Sequence, residues 1–466
     1  MKKTIILVLL FTTFIQKISA QKVYLPTAES ISKRPVPAWF GNAKFGIFVH
    51  WGLYAVPAWA NPVGEPFKVS WETWFKNNAY AEWYLNTMKF KDSPTWKHHV
   101  ETYGENFDYY DFVPIFNKNT VAWNAEKWTD LFSKIGAKYV VFTTKHHDGF
   151  TLYPSTVPNP FMEKSMINAP KDFVGELAKS TRKAGMKFGV YYSGGLDWTF
   201  YRSPIVNLFP DIFQSMPKSV AYTAYADNQY HELVNRYKPD VLWNDINYPD
   251  NGDFLGICAD AINQNPDVVF NDRWGKFKEY AHYSTPEYRV LDSISVKKWE
   301  TCRGIGYSFG YNQVENDKQL LSADALVDML IDIVSKNGNF LLNVGPNAKG
   351  EIPAIQTERL EALGNWLKTN GEGIFDTKPY SVAEGTANQK IKIRFTQKEN
   401  VVYTFLLEKP SDNNLIINRL KKGIKNVELI ADKPIALQWK QNNEELAITF
   451  PEKIKESFAY MLRVTY

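Results

Sequence analysis

The sequence predicts an α/β chain, a (β/α)8-like barrel followed by a C-terminal antiparallel β-sandwich, and three observations carry that reading. Apolar strand-like runs alternate with amphipathic helix-like runs over most of the chain. No Gly-x-Gly-x-x-Gly or phosphate-loop motif marks an open nucleotide-binding sheet. After about residue 377 the pattern changes to short, partly alternating runs separated by Asn, Asp, Pro, Gly and Lys turns, as a sandwich requires.

The chain opens on Lys2 and Lys3, an apolar run over 5–15, and Ile18-Ser19-Ala20 before Gln21. This is the pattern of a secretory signal with a small-residue cleavage site, too short to span a bilayer and with no Cys beside the cut to carry a lipid. The expected organisation is therefore a leader over 1–20, a catalytic barrel over 21–376 and a sandwich over 377–466, in a protein exported to the periplasm or secreted. Removing Lys2, Lys3 and Lys17 with the leader takes the formal charge from +4 to about +1, which offers no polyanion-binding surface and argues against a nucleic-acid partner. Two cysteines, Cys258 and Cys302, cannot form a disulfide scaffold, so stability must come from a large core; whether they pair is open. Fifteen tryptophans and 26 tyrosines suit either that core or the faces of sugar rings.

Within the barrel, the run 44–51 reads as a first buried strand ending at His50. A long loop-like, aromatic-rich region follows, through Trp71, Trp74 and Glu82-Trp83-Tyr84. A helix over 125–135 closed by Gly136 leads into a strand over 139–144. Asp172 caps a helix that Gly185 ends, and a strand over 187–192 follows. A helix over 220–237 stops at Pro239 and feeds a strand over 240–244, beyond which stands Asp245. Further strands are expected over 267–271, 294–299 and 340–344, with helices over 323–336 and 354–369. In the tail, strands are expected over 390–395, 401–407, 413–417, 425–429, 436–439, 446–450 and 458–464. The sandwich is expected to pack on the barrel, with a carbohydrate-binding role as the alternative.

Carboxyl ends of parallel strands converge on one face of a barrel. There the sequence places His50, His146, His147, Tyr191 or Tyr192, Trp243, Asp245, Arg273 and Glu300, with Glu287 in the preceding loop. His146 and His147, adjacent in an extended run, are expected on opposite faces, which argues against joint ligation, and neither a metal nor a cofactor is predicted. Such a set can hydrogen-bond the hydroxyls of one small polar molecule while an aromatic ring covers its apolar face. Two carboxylates beside it suggest glycoside hydrolysis. Asp245, at the end of a rigid strand, is the better nucleophile; the proton donor is Glu287, in Ser284-Thr285-Pro286-Glu287-Tyr288, or its rival Glu300. From the residues alone a hydrolase of another deoxy or galacto-configured sugar stays open, as does a sugar-binding protein without catalysis.

Together, Lys44-Phe45-Gly46-Ile47-Phe48-Val49-His50-Trp51-Gly52, Glu82-Trp83-Tyr84, Lys145-His146-His147-Asp148-Gly149-Phe150, Trp243-Asn244-Asp245, Asn271-Asp272-Arg273-Trp274, Trp299-Glu300-Thr301 and Asn339-Phe340-Leu341-Leu342-Asn343-Val344-Gly345-Pro346 resemble the family 29 glycoside hydrolases, the retaining α-L-fucosidases. The broad-specificity subgroup is the better match. The resemblance implies that Asp245 forms a fucosyl-enzyme ester and that Glu287, preferred to Glu300, is the acid/base. It further implies that His50, Glu82, Trp83, His146, His147, Tyr191, Trp243 and Arg273 line the fucose pocket, with Phe309 near the sugar methyl. The implied partner is a fucosylated oligosaccharide or glycoconjugate. Asn244, before the nucleophile, departs from the aromatic or small residue common there. Oligomeric state and natural linkage stay open.

Overall fold

The computed structural model describes residues 23–32, 34–207 and 211–466; the leader expected over 1–20 lies outside them. Seven parallel strands form one sheet: β1 (Phe45–Val49), β2 (Tyr139–Lys145), β3 (Lys187–Ser193), β4 (Val241–Asp245), β5 (Val269–Phe270), β6 (Trp299–Gly304) and β7 (Gly338–Val344), in the order β5-β4-β3-β2-β1-β7-β6. β1 lies between β2 and β7, with Val49 opposite both Phe142 and Val344. The segment 282–288 fills the gap between the two edge strands. His282 N donates to Phe270 O at 2.9 Å, Glu300 N to Ser284 O at 2.8 Å, and Tyr288 N to Cys302 O at 3.1 Å. An irregular eighth stave thus joins β5 to β6 and makes the sheet barrel-like.

The helices between strands start and stop where their caps dictate. Asn124 accepts from Glu126 N at 2.7 Å to begin Ala125–Lys134, and Gly136 ends it at φ +90°. Asp172 accepts from Gly175 N at 2.8 Å to begin Phe173–Lys183, and Ser219 from Tyr222 N at 3.1 Å to begin Val220–Tyr237. Ala323–Ser335 and Ala354–Asn370 complete the outer layer.

Three expectations are corrected. The strand read over 294–299 lies at Trp299–Gly304 instead. Val296 is 99% exposed, because an isolated apolar residue among Ser and Lys finds no cover. The true strand is fully buried in spite of its polar residues, since the Glu300 carboxylate is hydrogen-bonded inside the barrel. The strand over 267–271 shrinks to Val269–Phe270; the Asn271 side chain takes over the ladder, accepting from Asn244 N at 3.0 Å and donating to Asn244 O at 2.8 Å. The region after β1 is no simple loop, for it contains Trp71–Asn77, Pro94–Tyr103 and Phe112–Asn119. Ser93 followed by Pro94 is a start signal that the aromatic spacing hides. A helix over Phe254–Gln264, capped by Asp253, was also not expected.

Beyond the last helix the chain forms a six-stranded and a three-stranded antiparallel sheet. Their shared core includes Phe395, Leu406, Leu415, Ile417, Leu429, Leu446 and Leu462. Leu415 and Ile417 are buried while Asn414 is exposed, the period of a half-buried strand. The strand Lys378–Thr386 is additional to those expected; its mixed pattern, with Pro379 and Gly385, hides it. The sandwich packs on the barrel's helices: Trp366 Nε1 donates to Ala459 O at 3.0 Å, and Arg394 pairs with Asp332. Cys258 and Cys302 are both buried and free. No helix among the described residues is long and apolar enough to cross a membrane.

Candidate active site

The strand ends converge as expected on a cavity of about 200 Å3. This is below the roughly 300–1,000 Å3 of pockets that hold drug-sized molecules, so it suits one small ligand. Of the site residues singled out in the sequence, all but Glu300 and Tyr192 line it.

Asp245 ends β4 and is held from two sides. Tyr191 OH donates to its Oδ2 at 2.7 Å and Arg273 Nη1 to its Oδ1 at 2.9 Å. Tyr191, not Tyr192, faces the cavity; Tyr192 OH donates outward to Gln229 at 2.9 Å, as strand alternation requires. The second Arg273 nitrogen, Nη2, donates to Glu287 Oε2 at 2.9 Å. One guanidinium therefore spans both carboxylates while its Cζ lies 4.6 Å from the centre of the Trp243 ring. Arg273 is itself fixed by Thr285 Oγ1, 3.0 Å from Nε, and by Asn244 Nδ2, which donates to its carbonyl at 2.7 Å. Asn244 thus pins the arginine loop.

Glu287 sits on the irregular stave and also accepts from Tyr80 OH at 2.8 Å. Glu300 lies inside the barrel, where it accepts from Tyr139 OH and, at 3.1 Å, from Trp243 Nε1. Burial pushes its carboxyl up to about 7. Glu82 is also buried, at the cavity wall, and burial raises it to about 7 although Gly310 N donates to Oε2 at 2.8 Å and Ser308 Oγ at 3.2 Å. A Cβ on Gly310 would lie 2.9 Å from the Tyr54 ring, so the backbone approach to Glu82 needs glycine there.

The expectation that His146 and His147 point to opposite faces is corrected. β2 ends at Lys145, so the pair lies beyond the pleat, and their ring centroids are 4.0 Å apart with both rings at the cavity. Among the described residues no group of three His, Cys, Asp or Glu is arranged to hold a metal. Ser193 Oγ donates to Leu196 O at 2.7 Å, so it accepts from His147 Nδ1 at 2.6 Å. His147 Nε2 is left as an acceptor 3.9 Å from Asp245 Oδ2. His50 is fixed likewise. Asn343 Nδ2 donates to Phe309 O at 2.6 Å, turning its Oδ1 to accept from His50 Nδ1 at 2.7 Å, and Nε2 is free to accept. Burial lowers His50 to about 4 and holds His146 and His147 well below the usual imidazole range, so all three rings are neutral. Phe309 closes the wall, its ring 4.9 Å from His50 and 5.4 Å from Tyr80.

Tyr80, Phe67, Trp71 and Ile246 line the cavity too and were not singled out as site residues. Tyr80, two residues before Glu82, was within reach of sequence reasoning; Phe67 and Trp71 lie in a stretch without periodicity.

The family model for Alpha-L-fucosidase matches residues 11–372, and that for the Alpha-L-fucosidase C-terminal domain matches 386–465. The chain is 33% identical to the alpha-L-fucosidase of Dictyostelium discoideum over 88% of its own length and 87% of that protein's. It is 34% identical to the tissue alpha-L-fucosidase of Homo sapiens over 84% and 80%. Its structure superposes on the Thermotoga maritima alpha-fucosidase in complex with fucose with a TM-score of 0.85 at 41% identity, covering 95% of this chain and all of that one. With the same enzyme in complex with a mechanism-based inhibitor the TM-score is 0.86 at 42% identity. The chain belongs to the α-L-fucosidase family, glycoside hydrolase family 29, and is an enzyme of that class.

Proposed function

We propose that this enzyme is a retaining exo-α-L-fucosidase, releasing terminal α-L-fucose from glycans or glycoconjugates by double displacement through a fucosyl-Asp245 ester. The observation that carries this reading is the Arg273 guanidinium shared by Asp245 and Glu287 at one cavity. It holds at one cavity the pair of carboxylates that a double displacement uses, one to attack the anomeric carbon and one to move the proton.

In the first step an Asp245 oxygen bonds to the anomeric carbon as the glycosidic C–O bond breaks, and Glu287 gives its proton to the departing oxygen, which leaves as an alcohol. In the second, Glu287 takes a proton from water, whose oxygen displaces Asp245 and releases fucose with its α configuration. The neutral His50 and His147 accept from sugar hydroxyls through Nε2, while Glu82 and His146 supply further partners. Trp243 and Phe309 cover the apolar face and the methyl, where a hydroxyl-bearing competitor would find no partner. Glu300 holds Trp243 and stays outside the chemistry. Export from a leader cleaved near Gln21, and a domain boundary near 376, belong to the same reading.

Incubation with a 2-deoxy-2-fluoro fucosyl fluoride should add one fluorofucosyl mass to the intact protein, with peptide mapping placing it on Asp245. A turning-over enzyme that accumulates no adduct, or carries it elsewhere, would contradict the assignment.

A further inference from the structure

The proton donor fixes where the leaving group must lie, because the departing oxygen has to come within hydrogen-bond reach of Glu287 and the rest of the alcohol extends outward from it. From Glu287 an unbroken row of aromatic rings runs to the surface. Tyr80, which donates to Glu287, stacks on Tyr288 with centroids 6.3 Å apart; Tyr288 meets Phe67 at 6.4 Å; Phe67 meets Trp71 edge-on at 5.5 Å. Phe67 and Trp71 line the cavity, yet Phe67 is 46% exposed, a large apolar ring left without cover at a cavity mouth.

The backbone there is in an uncommon conformation. Phe67 has φ +64° and Tyr288 φ +52°, the left-handed region that bulky side chains rarely adopt. Ile246, directly after Asp245, has φ +66° and lines the same cavity. Each carboxylate is thus followed by a residue held in this conformation. Backbone strain of this kind clusters at ligand sites.

We propose that Phe67 and Trp71 form a subsite that binds the flat ring face of the leaving group, making the enzyme selective for fucosides whose departing alcohol carries an aryl or pyranose ring directly bonded through the cleaved oxygen. This rests on Glu287 as the proton donor. An aromatic wall recognises a ring by its face and not by its hydroxyl pattern, so it accepts several linkages while rejecting leaving groups that have no ring.

The test compares 4-nitrophenyl α-L-fucoside, a fucosyl-galactose disaccharide and α-L-fucosyl fluoride, whose leaving group has no ring, across wild type, Phe67→Ala, Phe67→Tyr and Trp71→Ala. In the alanine variants the ratio of kcat/KM for a ring-bearing substrate to that for the fluoride should fall at least tenfold, with KM carrying most of the change. Phe67→Tyr should keep the ratio within twofold, and free fucose should inhibit every variant within twofold of wild type, which also reports an intact pocket. A tenfold fall for the aryl or the disaccharide substrate supports the subsite and says which ring it takes. An unchanged ratio for both, or equal losses on all three substrates, overturns it. A wild type that hydrolyses none of the three would instead contradict the fucosidase mechanism.

Discussion

The Glu300 carboxylate accepts the indole N–H of Trp243 at 3.1 Å, and its other oxygen accepts from Tyr139, so both oxygens are taken inside the barrel. Trp243 in turn is the surface over which Arg273 lies. Glu300 therefore supports the floor of the site, whereas Glu287 reaches the cavity.

The two glutamates should separate kinetically. Glu287→Ala should slow substrates with poor leaving groups by about 10²–10⁴-fold, the usual size of acid catalysis, and activated aryl fucosides much less. Added azide should restore turnover as fucosyl azide. Glu300→Ala should lower activity on both kinds of substrate alike, with no azide rescue. Leaving-group series with product analysis read the difference; rescue of Glu300→Ala alone would reverse the assignment.

The loop carrying Phe309 should depend on Glu315. This half-buried carboxyl, pushed up to about 8 by desolvation, accepts from Tyr307 N at 2.9 Å and Ser308 N at 2.8 Å. Glu315→Ala leaves two part-buried N–H groups without their acceptor, at a cost of up to about 1–3 kcal/mol each, and frees the wall carrying Phe309. KM should rise and the denaturation midpoint fall. Glu315→Gln, neutral and still an acceptor, should stay near wild type in both, and equal effects of Ala and Gln would remove this role.

Stability should fall on acidification through the buried histidines. Burial holds His50 at about 4, so the unfolded chain, titrating near the ordinary 6.5, takes up its proton first as pH drops. The stabilisation is complete above about pH 6.5 and is lost as pH falls towards 4. Between pH 7 and pH 5, wild type should lose roughly 2 kcal/mol more unfolding free energy than His50→Gln. Glu82 and Glu300, raised to about 7, act in the opposite sense, costing stability as pH rises from the usual carboxyl range through 7. Urea titrations at the two pH values check this, and parallel losses in both proteins would be the contrary result.

The ion pair of Lys145 and Asp197, 2.8 Å apart and with neither side chain exposed, ties the end of β2 to the loop after β3. Trp198, next to Asp197, donates its backbone N–H to His147 O at 2.7 Å. Asp197→Ala should strand a buried ammonium and cost about 3–5 kcal/mol. A thermal midpoint within a degree or two of wild type would show that the lysine finds another partner.

Much of this arrangement is legible in the sequence because the barrel puts its chemistry where strands stop. Pro239 ends a helix, Val241-Leu242-Trp243 can only be buried, and Asp245 follows; no long-range information is needed. The strand carrying Glu300 escapes because its polar residues are satisfied by Tyr139 and Trp243, distant partners that local pattern cannot show. The histidine pair was misread for a related reason, since strand alternation holds only to Lys145, where β2 stops. Arg273 stands out as a strand-end residue, but its bridge between Asp245 and Glu287 exists only once the irregular eighth stave is in place. Phe67 follows no period at all, and its exposure at the mouth is visible only in three dimensions.

Hydrolysis of 4-nitrophenyl α-L-fucoside by the chain from Gln21 onward, with the product anomer followed by NMR beside Asp245→Ala, reads the covalent fucosyl-Asp245 route at its stereochemistry. α-L-Fucose should be the first product, with turnover lost in the variant. Initial release of the β-anomer, or undiminished turnover without Asp245, would contradict it.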